Sequence, residues 1–271
     1  DWKRALVVDS TNAGYRVELG ELYYVSLMIK EAQEQFELAL RIDPANNAAR
    51  LKEAELQVVA FRQYQKAFDL VNEALRSDPG LPEGYYIKGW AYMESGDTDR
   101  AISSFRTTVE RDPSHYKAFM ELGKLHALRH DPLALQYYNT AIDLKPLQVE
   151  AWYGKGMYCQ ENGMDSLALA CYDRIKQIDP RNASAWYNSG YVRLEHLGDL
   201  PQAIRDFTAA GKLLPTYHQA FYNRGLAYER RAVLDSAAMD FQQALRIEPG
   251  YEPAALGLQR LQGKGLRILP R

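Results

Sequence analysis

The chain has 271 residues, 46% apolar and 25% charged, with 33 Lys and Arg against 35 Asp and Glu and a formal net charge of −2. That balance excludes a disordered polyelectrolyte and gives no general attraction to nucleic acid or to an anionic lipid surface. No apolar run approaches the roughly 18 residues of a membrane span, and two cysteines cannot build a disulfide framework. Tyrosine is unusually frequent, 19 against 8 Phe and 4 Trp.

Seven prolines, Pro44, Pro79, Pro113, Pro146, Pro180, Pro215 and Pro249, stand 35, 34, 33, 34, 35 and 34 residues apart. A fixed period of this size marks a repeat architecture. In chain order, residues 1–10 align with the end of a second helix of a preceding, truncated unit, with Trp2 at its bulky position. The expectation is that the native chain extends upstream and that any targeting segment lies outside this sequence. Seven units follow, at 13–46, 47–81, 82–115, 116–148, 149–182, 183–217 and 218–251. A short capping helix over 252–262 and a basic tail over 263–271 complete the chain. Units two and six are one residue longer in the mid-unit turn.

Each unit predicts a helix, a turn and a second helix. Apolar residues recur at helical three- and four-residue spacing, as in Phe36, Ala39 and Leu40. Small residues recur at Gly20, Ala54, Gly89, Gly123, Gly156, Gly190 and Gly225, where two helices must approach closely. Bulky residues recur at Phe36, Val71, Phe105, Tyr138, Tyr172, Phe207 and Phe241 and fill the space left. An alanine series runs from Ala32 to Ala237. Gly96-Asp97, Asp131-Pro132 and Gly198-Asp199 punctuate mid-unit turns, and the unit proline ends the second helix.

This pattern resembles the tetratricopeptide repeat (TPR) family over residues 13–249. The resemblance implies an all-α, right-handed α-solenoid of helix-turn-helix repeats. Trp152 and Trp186 stand at the family's first-helix aromatic position, where Tyr85, Phe119 and Phe221 substitute. Arg16 and Arg50 depart from it and Gln57 replaces a common tyrosine, which predicts looser packing at that end. A general likeness to bacterial arrays, envelope lipoproteins among them, points to the cell envelope or periplasm, with the cytoplasm as alternative.

Catalytic chemistry requires titratable groups that converge. The sequence has no phosphate-binding loop, no nucleophile elbow and no dinucleotide fingerprint. His126 and His130 are four apart beside Asp131, a spacing able to hold zinc, but packing and helix termination account for both. Cys159 and Cys171 are expected to be buried free thiols, with a bridge across the hairpin as alternative. Acidic residues are read on solvated faces, Asp206 among them on the outer one. No enzyme activity, cofactor or metal is expected.

The resemblance also implies a concave groove lined by the first helices that takes a peptide. The residues there are Tyr86, Trp90, Tyr153, Tyr187, Asn188, Tyr191, Tyr222 and Asn223. Tyrosine buries large area at low entropic cost and keeps a polar handle. Partial packing of these tyrosines inside the hairpin is the alternative. The set does not match the Lys/Asn/Arg clamp by which one TPR subgroup holds chaperone tails. The leading expectation is therefore a protein-interaction scaffold, without nucleic-acid binding or membrane insertion. Self-association or assembly into a larger complex, and a regulatory region of a longer protein, are the alternatives.

Overall fold

The computed structural model describes residues 11–264, so the truncated unit read over 1–10 and the tail beyond Lys264 fall outside the described residues. Helices cover 79% of the described residues, and none of those residues is in a strand. The chain forms two compact units, residues 1–125 and 126–271. In the first, α1 (Ala13–Val25) pairs with α2 (Ile29–Ile42), α3 (Asn47–Val59) with α4 (Tyr64–Ser77), and α5 (Pro82–Glu94) with α6 (Thr98–Arg111). Then comes α7 (Tyr116–Ala127). In the second, α8 (Leu133–Leu144) precedes the pairs α9 (Val149–Glu161) with α10 (Asp165–Ile178), α11 (Ala183–Tyr191) with α12 (Leu200–Leu213), and α13 (His218–Arg230) with α14 (Leu234–Ile247). The last helix is α15 (Glu252–Gly263).

Steric fit sets the pairing. A Cβ added at Gly20 would sit 2.5 Å from the Phe36 ring, and at Gly225 2.7 Å from Phe241. Gly89 and Gly190 meet Phe105 and Phe207 in the same way. All seven alanines of the series from Ala32 to Ala237 are fully buried, so no larger side chain fits without displacing a helix.

The punctuation has a hydrogen-bond basis. The carboxylates of Asp43, Asp78, Asp112 and Asp179 each accept from the backbone N–H two residues on, at 2.9–3.0 Å, folding the chain over the unit proline. Asp97 and Asp199 cap α6 and α12 by accepting from Arg100 N and Gln202 N. Mid-unit turns need one left-handed residue. Gly96, Gly163 and Gly198 supply it freely, whereas Leu27, Arg62, His130 and Ala232 hold positive φ of 52–60° at a cost of about 1–2 kcal/mol each.

The extra residue of the sixth unit is absorbed inside the helix. Val192–Leu197 forms a π-helical turn closed by Asp199 N donating to Arg193 O. In the second repeat, residues 47–81, Gln63 N donates to Gln57 O across the same six-residue gap, where turns such as Asp97 N to Tyr92 O span five.

Two expectations are overturned. Arg50 does not loosen its end: it is buried, and its guanidinium donates to the Pro44 carbonyl and to Asn47 Oδ1. Trp152 and Trp186 donate likewise to the Pro146 and Pro180 carbonyls, six residues back, so Arg50 replaces the bond rather than the ring. Nor are all carboxylates solvated. Asp206 is buried and paired with Arg193, Asp240 is held bidentately by Arg224 at 2.7 and 2.8 Å, and Glu53 accepts from the buried Gln57 amide. A carboxylate leaves water only with such partners.

Candidate functional site

Three consecutive first helices of the second unit, α9, α11 and α13, carry Tyr153, Tyr187 and Tyr222 in register. Each ring leans on the bulky residue of its own hairpin: Tyr153 on Tyr172 at 6.4 Å, and Tyr187 and Tyr222 on Phe207 and Phe241 at 5.7 Å. Amides tie the row together. Asn188 Nδ2 donates to the Tyr153 hydroxyl at 3.1 Å, and Asn223 Nδ2 to the Tyr187 hydroxyl at 2.9 Å. Both asparagines are only 7% exposed, while Tyr153 is 37% exposed. Tyr191, on the same helix as Tyr187, meets His196 edge-on at 6.1 Å.

The ring edges pack inside the hairpins, as the alternative had it, while Tyr187, Tyr191 and Tyr222 keep intermediate exposure. Sequence reasoning missed a second tier. Tyr217 stacks on Tyr187 at 4.7 Å, and Tyr251 meets Tyr222 edge-on at 5.3 Å. Each sits just before the next first helix, 29 or 30 residues after the tyrosine it covers, and that spacing is the signal that could have found it. Burial pushes the Tyr187 hydroxyl up to about 12 and also raises Tyr217. These phenols therefore keep their protons at neutral pH.

Tyr86 and Trp90 belong to the first unit. Tyr86 is 7% exposed, with Trp90, Phe105 and His115 rings at 6.1, 5.6 and 4.8 Å. On α1 and α3 the equivalent surface is charged. Lys52 bonds Glu21 at 2.7 Å and Glu55 at 3.6 Å, beside a shallow surface crevice lined by Tyr24, Phe36, Lys52, Glu55 and Leu56. Burial pulls the Lys52 ammonium down, but the Glu21 and Glu55 carboxylates hold it above its usual range.

The other candidate chemistry has packing roles. His126 is buried with Nδ1 against the Asp131 carboxylate at 2.8 Å and its ring 5.1 Å from Tyr137. His130 occupies a left-handed turn position. Cys159 and Cys171 are buried free thiols, and burial pushes Cys171 up to about 11, away from the reactive thiolate. Among the described residues no helix is long and apolar enough to cross a membrane.

Comparison with known proteins agrees with this architecture. A tetratricopeptide repeat family model matches residues 86–132 and 132–183. Tetratricopeptide repeat protein 6 of Homo sapiens is 26% identical over 194 residues, 70% of this chain and 37% of that protein. Protein O-mannosyl-transferase TMTC1 of Homo sapiens is 28% identical over 160 residues, 57% of this chain and 18% of that protein. The chain thus spans well under half the length of both relatives. The C-terminal part of a TPR repeat-containing protein from Cytophaga hutchinsonii superposes with a TM-score of 0.75 at 14% identity, covering 89% of this chain and 99% of that one. At that identity the likeness carries the fold alone.

Proposed function

The chain is an array of tetratricopeptide repeats, and from that premise we propose that it is a non-catalytic scaffold that binds a peptide segment of a partner protein along α9, α11 and α13. Proteins of this family generally mediate protein–protein interaction or assembly. The transferase activity in one relative's name belongs to that protein, of which the matched part is 18%. The observation that carries the reading is the tyrosine row linked by Asn188 and Asn223. It places large amphipathic rings on successive helices, the chemistry of recognition hot spots.

Photo-crosslinking tests it. A photoreactive benzoylphenylalanine is placed at Tyr191 in one protein and at Met239, exposed on α14, in another. A partner captured from cells and identified by mass spectrometry should crosslink at position 191 and not at 239. Crosslinking at 239 alone would move the site to the second helices.

A second reading, assembly through the first repeat, draws on Leu22, Val25, Leu27 and Met28, which cluster exposed at the end of α1. Apolar patches of this kind mark contact surfaces.

A further inference from the structure

One position recurs along the first helices. It begins at Leu22 on α1 and returns every 33–35 residues from Leu56 to Leu261. The seven later residues are each at most 5% exposed, whereas Leu22 is 50% exposed. Val25, Leu27 and Met28 beside it are exposed too. The counterparts of Val25 at Val59 and Leu128 also project into solvent, so exposure there belongs to the rim of every repeat. Leu22 is the residue that breaks the pattern.

The rest of the array shows what covers this position. Leu56 shares its core with Ala32, Phe36 and Ala39 of α2. Val192 does so with Ala168, Tyr172 and Ile175 of α10, and Leu261 with Ala237, Phe241 and Ala244 of α14. Each cover is a helix that offers an alanine, a ring four residues on and an apolar residue three beyond that. Those spacings fall on one helical face. The alanine stands 24 residues before the position it covers. Counted back from Leu22, that place falls ahead of Asp1.

We propose that the Leu22 end of α1 is the docking face for an amphipathic α-helix of a partner protein that carries this same seam. The proposal rests on the second reading above, in which the first repeat is a contact surface, and adds the conformation and residue pattern of what it contacts. The face continues an interface that the chain already builds within its own repeats. An alanine in the seam lets the helix axes close to the roughly 8–10 Å of packed helices, and Leu22 then leaves water as its seven counterparts do.

The test adds a hydrocarbon-stapled helical peptide of residues 29–43 to the full chain. This segment carries Ala32, Phe36 and Ala39, the seam that covers Leu56. Calorimetry should show saturable binding at one site, and its absence would overturn the proposal. Leu22→Asp should weaken binding by roughly tenfold or more, because docking would bury a charge. Met239→Asp, at an exposed place on α14, should leave it unchanged. A peptide carrying Ala32→Leu should also lose roughly tenfold through overpacking. If that peptide binds as well as the original while Leu22→Asp weakens binding, the seam falls and the contact-surface reading stands. If Leu22→Asp binds as the wild type, both fall. A dimer seen by light scattering and dissociated by Leu22→Asp would make a second copy the occupant and overturn the proposal. So would loss of peptide binding on adding the residues encoded ahead of Asp1, which would give the face to a preceding unit of the same chain.

Discussion

The two units use one fold position in opposite ways. On α3 that position holds Lys52, whose ammonium reaches Glu21 on the neighbouring first helix and Glu55 on its own. On α11 it holds Asn188, whose amide reaches Tyr153 on the neighbouring helix. Both side chains stitch one repeat to the next. The lysine is neutralised by two carboxylates, while the asparagine makes an uncharged link. The repeat therefore sets where a cross-link forms, and the residue type decides whether that link is an ion pair or a neutral hydrogen bond.

Ion pairs give the largest expected contrast. Arg224→Ala would strand the buried Asp240 carboxylate and should destabilise by about 3 kcal/mol or more. Glu21→Ala breaks a half-exposed pair and should cost under about 1 kcal/mol. Equal losses in urea melts would break the distinction between the two links.

Overpacking should not separate the units. Ala67→Leu and Ala203→Leu fill equivalent, fully buried positions and should each cost about 1–3 kcal/mol. A variant that melts with the wild type would show that its helix contact is slack.

The mid-unit turns should move in opposite directions. Leu27→Gly in the first unit relieves a positive φ and should stabilise by about 0.5–1 kcal/mol after the entropy of glycine is subtracted. Gly163→Ala in the second should destabilise by about 1 kcal/mol. Thermal melts that shift the same way for both would contradict the turn assignment.

Acid gives the smallest effect, of one sign in both units. The hydrogen bond from His115 is the main cause holding Glu83 low. Burial pulls Glu229 up, but Arg260 and Lys264 overcome it and hold it low. A depressed native value means that the unfolded chain binds the proton first. The contribution is therefore intact above the ordinary glutamate range near about pH 4.3 and drains away as pH falls through the native value. Glu83→Gln and Glu229→Gln should melt below the wild type at pH 7, by a gap that narrows as the pH falls below the ordinary glutamate range. A gap of constant size would contradict the linkage.

Much of the fold was legible because steric rules act locally. Gly20 and Phe36, or Gly225 and Phe241, announce a close helix pair by size alone, and Asp before Pro announces the turn. Arg50 was misread because its guanidinium reaches the same carbonyl six residues back as the Trp152 and Trp186 indoles do, and the pattern displays only the rings that usually stand there. Asp206 and Asp240 were misread because charge patterning does not show which arginine lies opposite. The sequence supplied the groove tyrosines and asparagines as separate residues. Their pairing over 35 and 36 residues, and the cover from Tyr217 and Tyr251, depend on how neighbouring repeats stack, which no single unit encodes.

The measurement that bears most directly on the central claim is the affinity of an identified partner for three proteins. The wild type is compared with Tyr187→Ala/Tyr222→Ala in the second unit and with Lys52→Ala/Glu55→Ala in the first, each shown by circular dichroism to keep its helicity. Loss of two aromatic anchors should weaken binding by roughly thirtyfold or more, and the first-unit pair should bind within about twofold of the wild type. A partner that ignores the tyrosine variant and is lost with the lysine–glutamate variant would contradict the account.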